Sequence, residues 1–180
     1  MEIIGISGPP CSGKDVAAEY LSLQFGFNKI SSGDLLRAKA RELNISLGRT
    51  SLQLLGTRLR EENDGIDPLL DCALKDVSGD TVFTGIRTVD AAQAIMDTEK
   101  GRLIYIDAPL EDRYQRSLTR ARGDHSSFDE FIEQDSVEHN GALNIDTSLG
   151  AIKAISSKII YNDSTLDYFL CEIEEIIIRQ

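Results

Sequence analysis

Gly8, Gly13 and Lys14 stand at the spacing G-x-x-x-x-G-K within the stretch GPPCSGKD, and that spacing suits the wrapping of a chain of phosphates. Glycines let backbone N–H groups turn inward toward phosphate oxygens, and a helix starting just after them aims its positive end at the same place. Lys14 adds a cation that can reach the outer phosphates. Pro9 and Pro10 have no N–H and stiffen the loop's entry, so the donors come mostly from its end, Ser12 through Asp15, where the helix continues into Val16. Cys11, at the apex, reads as a small residue. Asp15 stands where the pattern has a serine or threonine whose hydroxyl ligates Mg²⁺. A carboxylate oxygen can serve that ion directly or through water, because Mg²⁺ takes oxygen ligands and keeps waters. The alternative for Asp15 is a first-turn acid favoured by the helix dipole.

Three further groups of residues bear cations. Arg37 ends the run Ser31-Ser32-Gly33-Asp34-Leu35-Leu36-Arg37, and Arg87 ends Gly85-Ile86-Arg87. Arg113, Arg116, Arg120 and Arg122 lie within one stretch that contains no acid. Helical spacing puts Arg113, Arg116 and Arg120 on one face, with Arg122 at the helix end. The alternative for these arginines is a solvated face paired with Glu111, Asp112 and Asp124. His125 and His139 have no metal-ligand spacing and read as surface residues; Asp135 and Glu138 read as helix-surface or ion-pair residues.

The elements that must position these groups are legible from periodicity. Short apolar runs predict strands at Glu2–Ser7, Phe27–Ile30, Thr81–Thr84, Leu103–Ile106 and Lys158–Tyr161. Helical patterns cover Gly13 to about Phe25, a segment from near Leu35, Thr50 to about Glu62, and a segment starting at Asp67-Pro68. Others run from after Arg87 to about Asp97, from Pro109 to about Arg122, from Phe128 to Glu138 and from Thr165 to Ile178. This alternation predicts an α/β fold in three layers, a five-stranded parallel sheet with helices on both faces. In such sheets ligands bind beyond the carboxyl ends of the strands. Gly8–Lys14, Ser31–Arg37, Gly85–Arg87 and Asp107–Pro109 all follow strands, so all four can converge on one rim.

Bulk composition narrows the partners. The chain has 180 residues, 41% hydrophobic and 27% charged, with a formal charge of −11, which fits one globular domain. Such a surface repels nucleic acid and anionic membranes, so a small anion is the expected partner for a local arginine cluster. Cys11, Cys72 and Cys171 form no C-x-x-C pair, so neither a zinc site nor a disulfide framework is indicated, and a reducing cytoplasm is the expected compartment. The opening MEIIGISG does not read as an export signal, and no apolar run approaches a membrane span.

The segment Ser31–Arg37 resembles the S-[ST]-G-D-[ML]-L-R stretch of adenylate kinases, in which the arginine binds the phosphate of the accepting nucleoside monophosphate. Gly85-Ile86-Arg87 is similar to their D-G-[FY]-P-R segment, whose arginine also holds that phosphate. Thr84 departs from the family's aspartate, which helps organise Mg²⁺; Asp34, Asp107 or Asp15 can compensate. The arginine stretch resembles the lid of nucleoside monophosphate kinases and dephospho-coenzyme A kinases. It is more similar still to an archaeal family of small kinase-like P-loop proteins with R-x-x-R-x-x-x-R-x-R-x-x-D, an F-x-x-x-D-x-x-E helix (Phe131, Asp135 and Glu138 here) and an N-D-G-[ST]-L ending (Asn162–Leu166).

The resemblance covers nearly the whole chain. It implies a single P-loop kinase domain over 1–180, with an acceptor-binding helical region at about 31–75 and a small lid at about 113–140. It also implies ATP with Mg²⁺, and a small-molecule phosphate acceptor. Gly8 through Val16 would hold ATP, and Arg37, Gly85 and Arg87 the acceptor. Lys14, Arg116 and Arg120 would stabilise the transferring group, and Asp34 would orient the acceptor or a Mg²⁺-bound water. The rival expectations are a dephospho-coenzyme A kinase and a nucleotide-binding regulator or ATPase without a small-molecule acceptor.

Overall fold

Alternation along the strands decides the layering. In β1 (Ile3–Ser7) the side chains of Ile4 and Ile6 point to one face of the sheet, and Ile3 to the other. β3 (Thr81–Thr84) and β4 (Gly101–Asp107) divide in the same way: Val82, Ile104 and Ile106 go to the first face, Phe83, Leu103 and Tyr105 to the second. α1 (Lys14–Phe25) and α9 (Leu166–Ile178) cover the first face with Ala17, Ala18, Leu21, Phe169 and Ile173. α4 (Pro68–Lys75), α5 (Val89–Met96) and α8 (Leu149–Ile155) cover the second. A sheet buried on both faces needs apolar residues at every central position, and β1 has them: all five of its residues are buried.

In this computed structural model, residues 1–63, 67–119, 127–140 and 148–178 are described. β2 (Asn28–Ser31) and β5 (Lys158–Tyr161) form the sheet's edges, giving the order β2-β3-β1-β4-β5 with every pair parallel. The register sets Thr84 opposite both Ile6 and Ser31, and Asp107 opposite Tyr161. All five carboxyl ends therefore face the same rim. The three-layer α/β architecture is the expected one.

The remaining helices are α2 (Ser32–Glu42), α3 (Arg49–Glu61), α6 (Leu110–Thr119) and α7 (Phe128–Asn140). α2 and α8 depart most from expectation. α2 begins at Ser32 rather than near Leu35, because Ser31 Oγ accepts from the Asp34 backbone N–H at 3.3 Å and caps the helix three residues earlier. α8 was not foreseen at all. It is seven residues long, capped by Ser148 Oγ accepting from Ala151 N, and is held by burial of Leu149 and Ile152 rather than by any long periodic run.

Candidate functional site

The loop after β1 has the backbone a phosphate cradle needs. Gly8 has φ 143° and Gly13 φ 110°, both in the left-handed region. A Cβ on Gly8 would lie 2.0 Å from the Ile106 carbonyl oxygen, and one on Gly13 would lie 2.4 Å from Asn162 Nδ2. No other residue fits at either position. Cys11, at the apex, takes φ 60° although it has a side chain, the kind of local strain that collects at functional loops. Lys14 Nζ donates to Pro9 O at 2.8 Å, which holds the cation over the loop. Ser12 is fully buried, and its hydroxyl oxygen finds no hydrogen-bond partner among the described residues. A buried, unsatisfied oxygen inside a loop of this backbone shape fits a site completed by a ligand.

The loop is braced from the far end of the chain. Asn162, just past β5, donates from Nδ2 to Ser12 O at 2.8 Å, and its own backbone N–H donates to Asp107 O at 2.8 Å. Arg116, on α6, donates to Asn162 O at 3.2 Å and to Cys11 O at 3.4 Å. The structure therefore places Arg116 beside the loop apex. Sequence reasoning gave Asn162 no such role; N-D-S-T-L beyond a strand was visible, but its partner lies 150 residues away.

The segments Ser31–Arg37 and Gly85–Arg87 are tied to each other and to the loop's strand. Ser32 Oγ donates to Gly85 O at 2.6 Å, and Ser7 Oγ, from the last residue of β1, donates to Ile86 O at 2.7 Å. These two hydroxyls fix the successive carbonyls of Gly85 and Ile86 and so aim the chain that carries Arg87. Arg37 lies over Gly33 and donates to Asp34 Oδ1 from Nε at 3.2 Å and from its terminal nitrogen at 2.5 Å. Arg87 pairs with Glu138 Oε2 at 3.0 Å. Both arginines thus face carboxylates on the rim above β2 and β3, and Glu138 is an ion-pair residue as expected.

Arg113 corrects the solvated-face alternative. It is 5% exposed, and it does not pair with its sequence neighbours Glu111 and Asp112. Its guanidinium forks onto both oxygens of Asp135, at 2.5 and 2.8 Å, while Nε donates to Ala108 O at 3.0 Å and the Phe131 ring lies beneath. Arg113 is a fastener between α6 and α7. Arg120, Arg122 and His125 lie outside the described residues, and so does Asp124. His139 is exposed.

Among carboxylates that could help hold Mg²⁺, Asp107 is committed to Lys153 Nζ at 2.6 Å. That hydrogen bond is the main cause holding the Lys153 pKa above its ordinary value, with burial opposing it. Asp34 is engaged by Arg37, and Asp15 is exposed at the first turn of α1. Among the described residues no group of three or more His, Cys, Asp or Glu side chains could hold a metal ion. An ion brought in on phosphate oxygens would need few ligands from the protein, since Mg²⁺ keeps several waters. Among the described residues, too, no helix is long and apolar enough to cross a membrane.

Comparison with known proteins agrees with this geometry. A family model described as an AAA domain matches residues 4–138. A UPF0200 protein of Methanothrix thermoacetophila is 31% identical over 174 residues, covering 94% of this chain and 92% of that protein. An adenylate kinase of Mycobacteroides abscessus is 33% identical over 126 residues, 65% of this chain and 69% of that enzyme. Among solved structures, shikimate kinase from Acinetobacter baumannii in complex with shikimate superposes with a TM-score of 0.63 over 99% of this chain and 94% of that one, at 13% identity. At that identity the likeness is one of fold.

Proposed function

We propose, from the premise that the chain belongs to the UPF0200 family within the AAA-domain P-loop proteins, that it is a small-molecule kinase moving the γ-phosphate of ATP to a nucleoside monophosphate. One observation carries the reading. The segments bearing Arg37 and Arg87 leave adjacent strands on the rim that also carries the Gly8–Lys14 loop, and the Ser32–Gly85 hydrogen bond joins them. Two anions held end to end are what such an edge suits.

In this reading the loop's N–H groups and Lys14 hold the ATP phosphates, and Arg116 lies along the loop apex. Arg37 and Arg87 exchange their carboxylate partners for the acceptor phosphate, and Asp34, once released, is placed to orient the acceptor. Mg²⁺, when bound, would neutralise charge on the phosphate tail beside Asp15. An oxygen of the acceptor phosphate attacks Pγ, the bond from Pγ to the bridging oxygen breaks, and ADP leaves with the electron pair. A phosphate dianion is already deprotonated, so the transfer needs no general base. Catalysis is then positioning and charge neutralisation.

The test is an acceptor panel: purified protein with ATP and Mg²⁺, and AMP, CMP, UMP, deoxynucleotides or dephospho-coenzyme A. ADP formation dependent on one nucleoside monophosphate is expected, and Lys14→Ala should lower it by roughly three orders of magnitude or more. Dependence on dephospho-coenzyme A alone would select that kinase instead, and ADP formed independently of every acceptor would select an ATPase or nucleotide-driven switch.

A further inference from the structure

Arg37 and Arg87 are both paired with carboxylates, and the two pairs differ in kind. Asp34 and Arg37 stand three residues apart on one helix, and the Asp34 side chain is 72% exposed. A local surface pair of this sort opens at little cost. Glu138 reaches Arg87 from α7, 51 residues along the chain, its Oε2 accepting from Nη1 at 3.0 Å. Here the exposures are reversed: the acid's side chain is 11% exposed and the arginine's 53%. The cation is open to an arriving anion, while the carboxylate that neutralises it is largely withdrawn from solvent.

α7 is anchored on both sides of that carboxylate. One turn before it, Asp135 takes the fork of Arg113 at 2.5 and 2.8 Å. Two turns before it, the buried Phe131 ring packs on Tyr114 of α6, with centroids 5.6 Å apart. Directly after it, the His139 carbonyl oxygen accepts from Ser148 Oγ at 2.6 Å, which ties the end of α7 to the cap of α8. Phe131, Asp135 and Glu138 fall at helical spacing on one face. Glu138 is thus an anion tethered beside Arg87, and its effective concentration there is set by the fold rather than by the solution.

We propose that Glu138 is an autoinhibitory anion, a built-in occupant of Arg87 that an acceptor phosphate has to displace. This rests on the kinase reading above and concerns the regulation of that same site. A ligand that needs Arg87 binds only the fraction of molecules in which Glu138 has let go, so its apparent affinity falls by that fraction. The factor is the same for every phosphate ligand, but its consequence is not. Inorganic phosphate has no other contacts to offset the cost and is kept off the rim, whereas a nucleoside monophosphate also has its ribose and base to bind with. A phosphate dianion carries the charge to win an arginine from a single carboxylate. The sequence hid the contact because Glu138 looks like any acid on a helix; only the docking of α7 on α6 brings it to Arg87.

The experiment is calorimetric titration of wild type, Glu138→Gln, Glu138→Asp and Glu133→Gln with AMP, CMP and inorganic phosphate, with a nonhydrolysable ATP analogue as control and circular dichroism to verify folding. Glu138→Gln keeps the shape and removes the charge; Glu138→Asp keeps the charge and shortens the reach. Glu133, an exposed acid of the same helix, reports what loss of any nearby negative charge does. Expected is phosphate and nucleotide binding about three- to tenfold tighter in Glu138→Gln, a smaller gain in Glu138→Asp, and none in Glu133→Gln. Affinity for the ATP analogue should not change. Equal or weaker phosphate binding in Glu138→Gln, or an equal gain in Glu133→Gln or for the ATP analogue, would overturn the proposal. The two claims fail separately. Tighter phosphate binding in Glu138→Gln without acceptor-dependent ADP formation would sink the kinase reading alone. Acceptor-dependent transfer with affinities unmoved by Glu138→Gln would sink this one alone, and no phosphate binding in any variant would sink both.

Discussion

Asn162 holds the phosphate loop by a single side-chain hydrogen bond to Ser12 O, and Gly13 is glycine partly because that amide occupies the space a Cβ would need. Removing the amide leaves the Ser12 carbonyl without its brace and frees the loop's backbone to shift. Asn162→Ala should weaken binding of an ATP analogue roughly five- to tenfold, the worth of one hydrogen bond of this kind, with little change in acceptor affinity. Calorimetry with each ligand separately measures this; unchanged ATP affinity would mean that the loop keeps its shape unaided. The loop itself was legible in the sequence because its constraint is local, glycines at fixed offsets after a strand. Asn162 was not, since nothing near it in the chain reveals its partner.

At the scale of elements, α6 and α7 are joined by the buried fork of Arg113 on Asp135. Breaking such a pair leaves one charge buried without compensation. Arg113→Ala should cost about 3–5 kcal/mol of stability, read as a lowered denaturation midpoint. At temperatures where the variant remains folded its turnover should stay close to wild type, in contrast to Lys14→Ala. The joint replacement Arg113→Met with Asp135→Leu should cost less than Arg113→Ala, because apolar side chains can fill the space without leaving a charge behind. A joint variant less stable than the single one would show that the fork supplies more than neutralisation. The strands were read correctly because two-residue alternation and apolar content are properties of a few adjacent residues. α8 escaped because seven residues give less than two full turns of pattern, and its helicity depends on the sheet face it covers.

Folding stability of the whole molecule should depend on pH through the tie that Lys153 makes from α8 to the rim end of β4. Its ammonium donates to Asp107 and lies over the Tyr105 and Tyr161 rings, so β4, β5 and α8 are fastened at one point. The folded-state pKa of Lys153 is raised above its ordinary 10.5. The stabilisation is therefore fully present below that value and is lost as pH rises through the higher folded-state pKa. The difference in urea midpoint between wild type and Lys153→Met should hold steady across neutral pH and shrink once pH passes 10.5. A difference independent of pH over that range would show that packing on the two tyrosines, rather than charge, is what the lysine contributes.

On that same whole-molecule scale, the sequence by itself determined the strand-helix alternation and the loop that grips phosphate, because both are written in neighbouring residues. It also placed Arg37 and Arg87 after strands, hence on one rim once the sheet is parallel. Only the tertiary structure decided what each arginine does. Arg113 finds Asp135 22 residues away, and Arg87 finds Glu138 51 residues away. Charge is carried by a residue type, but its partner and its burial are set by which surfaces the fold presses together.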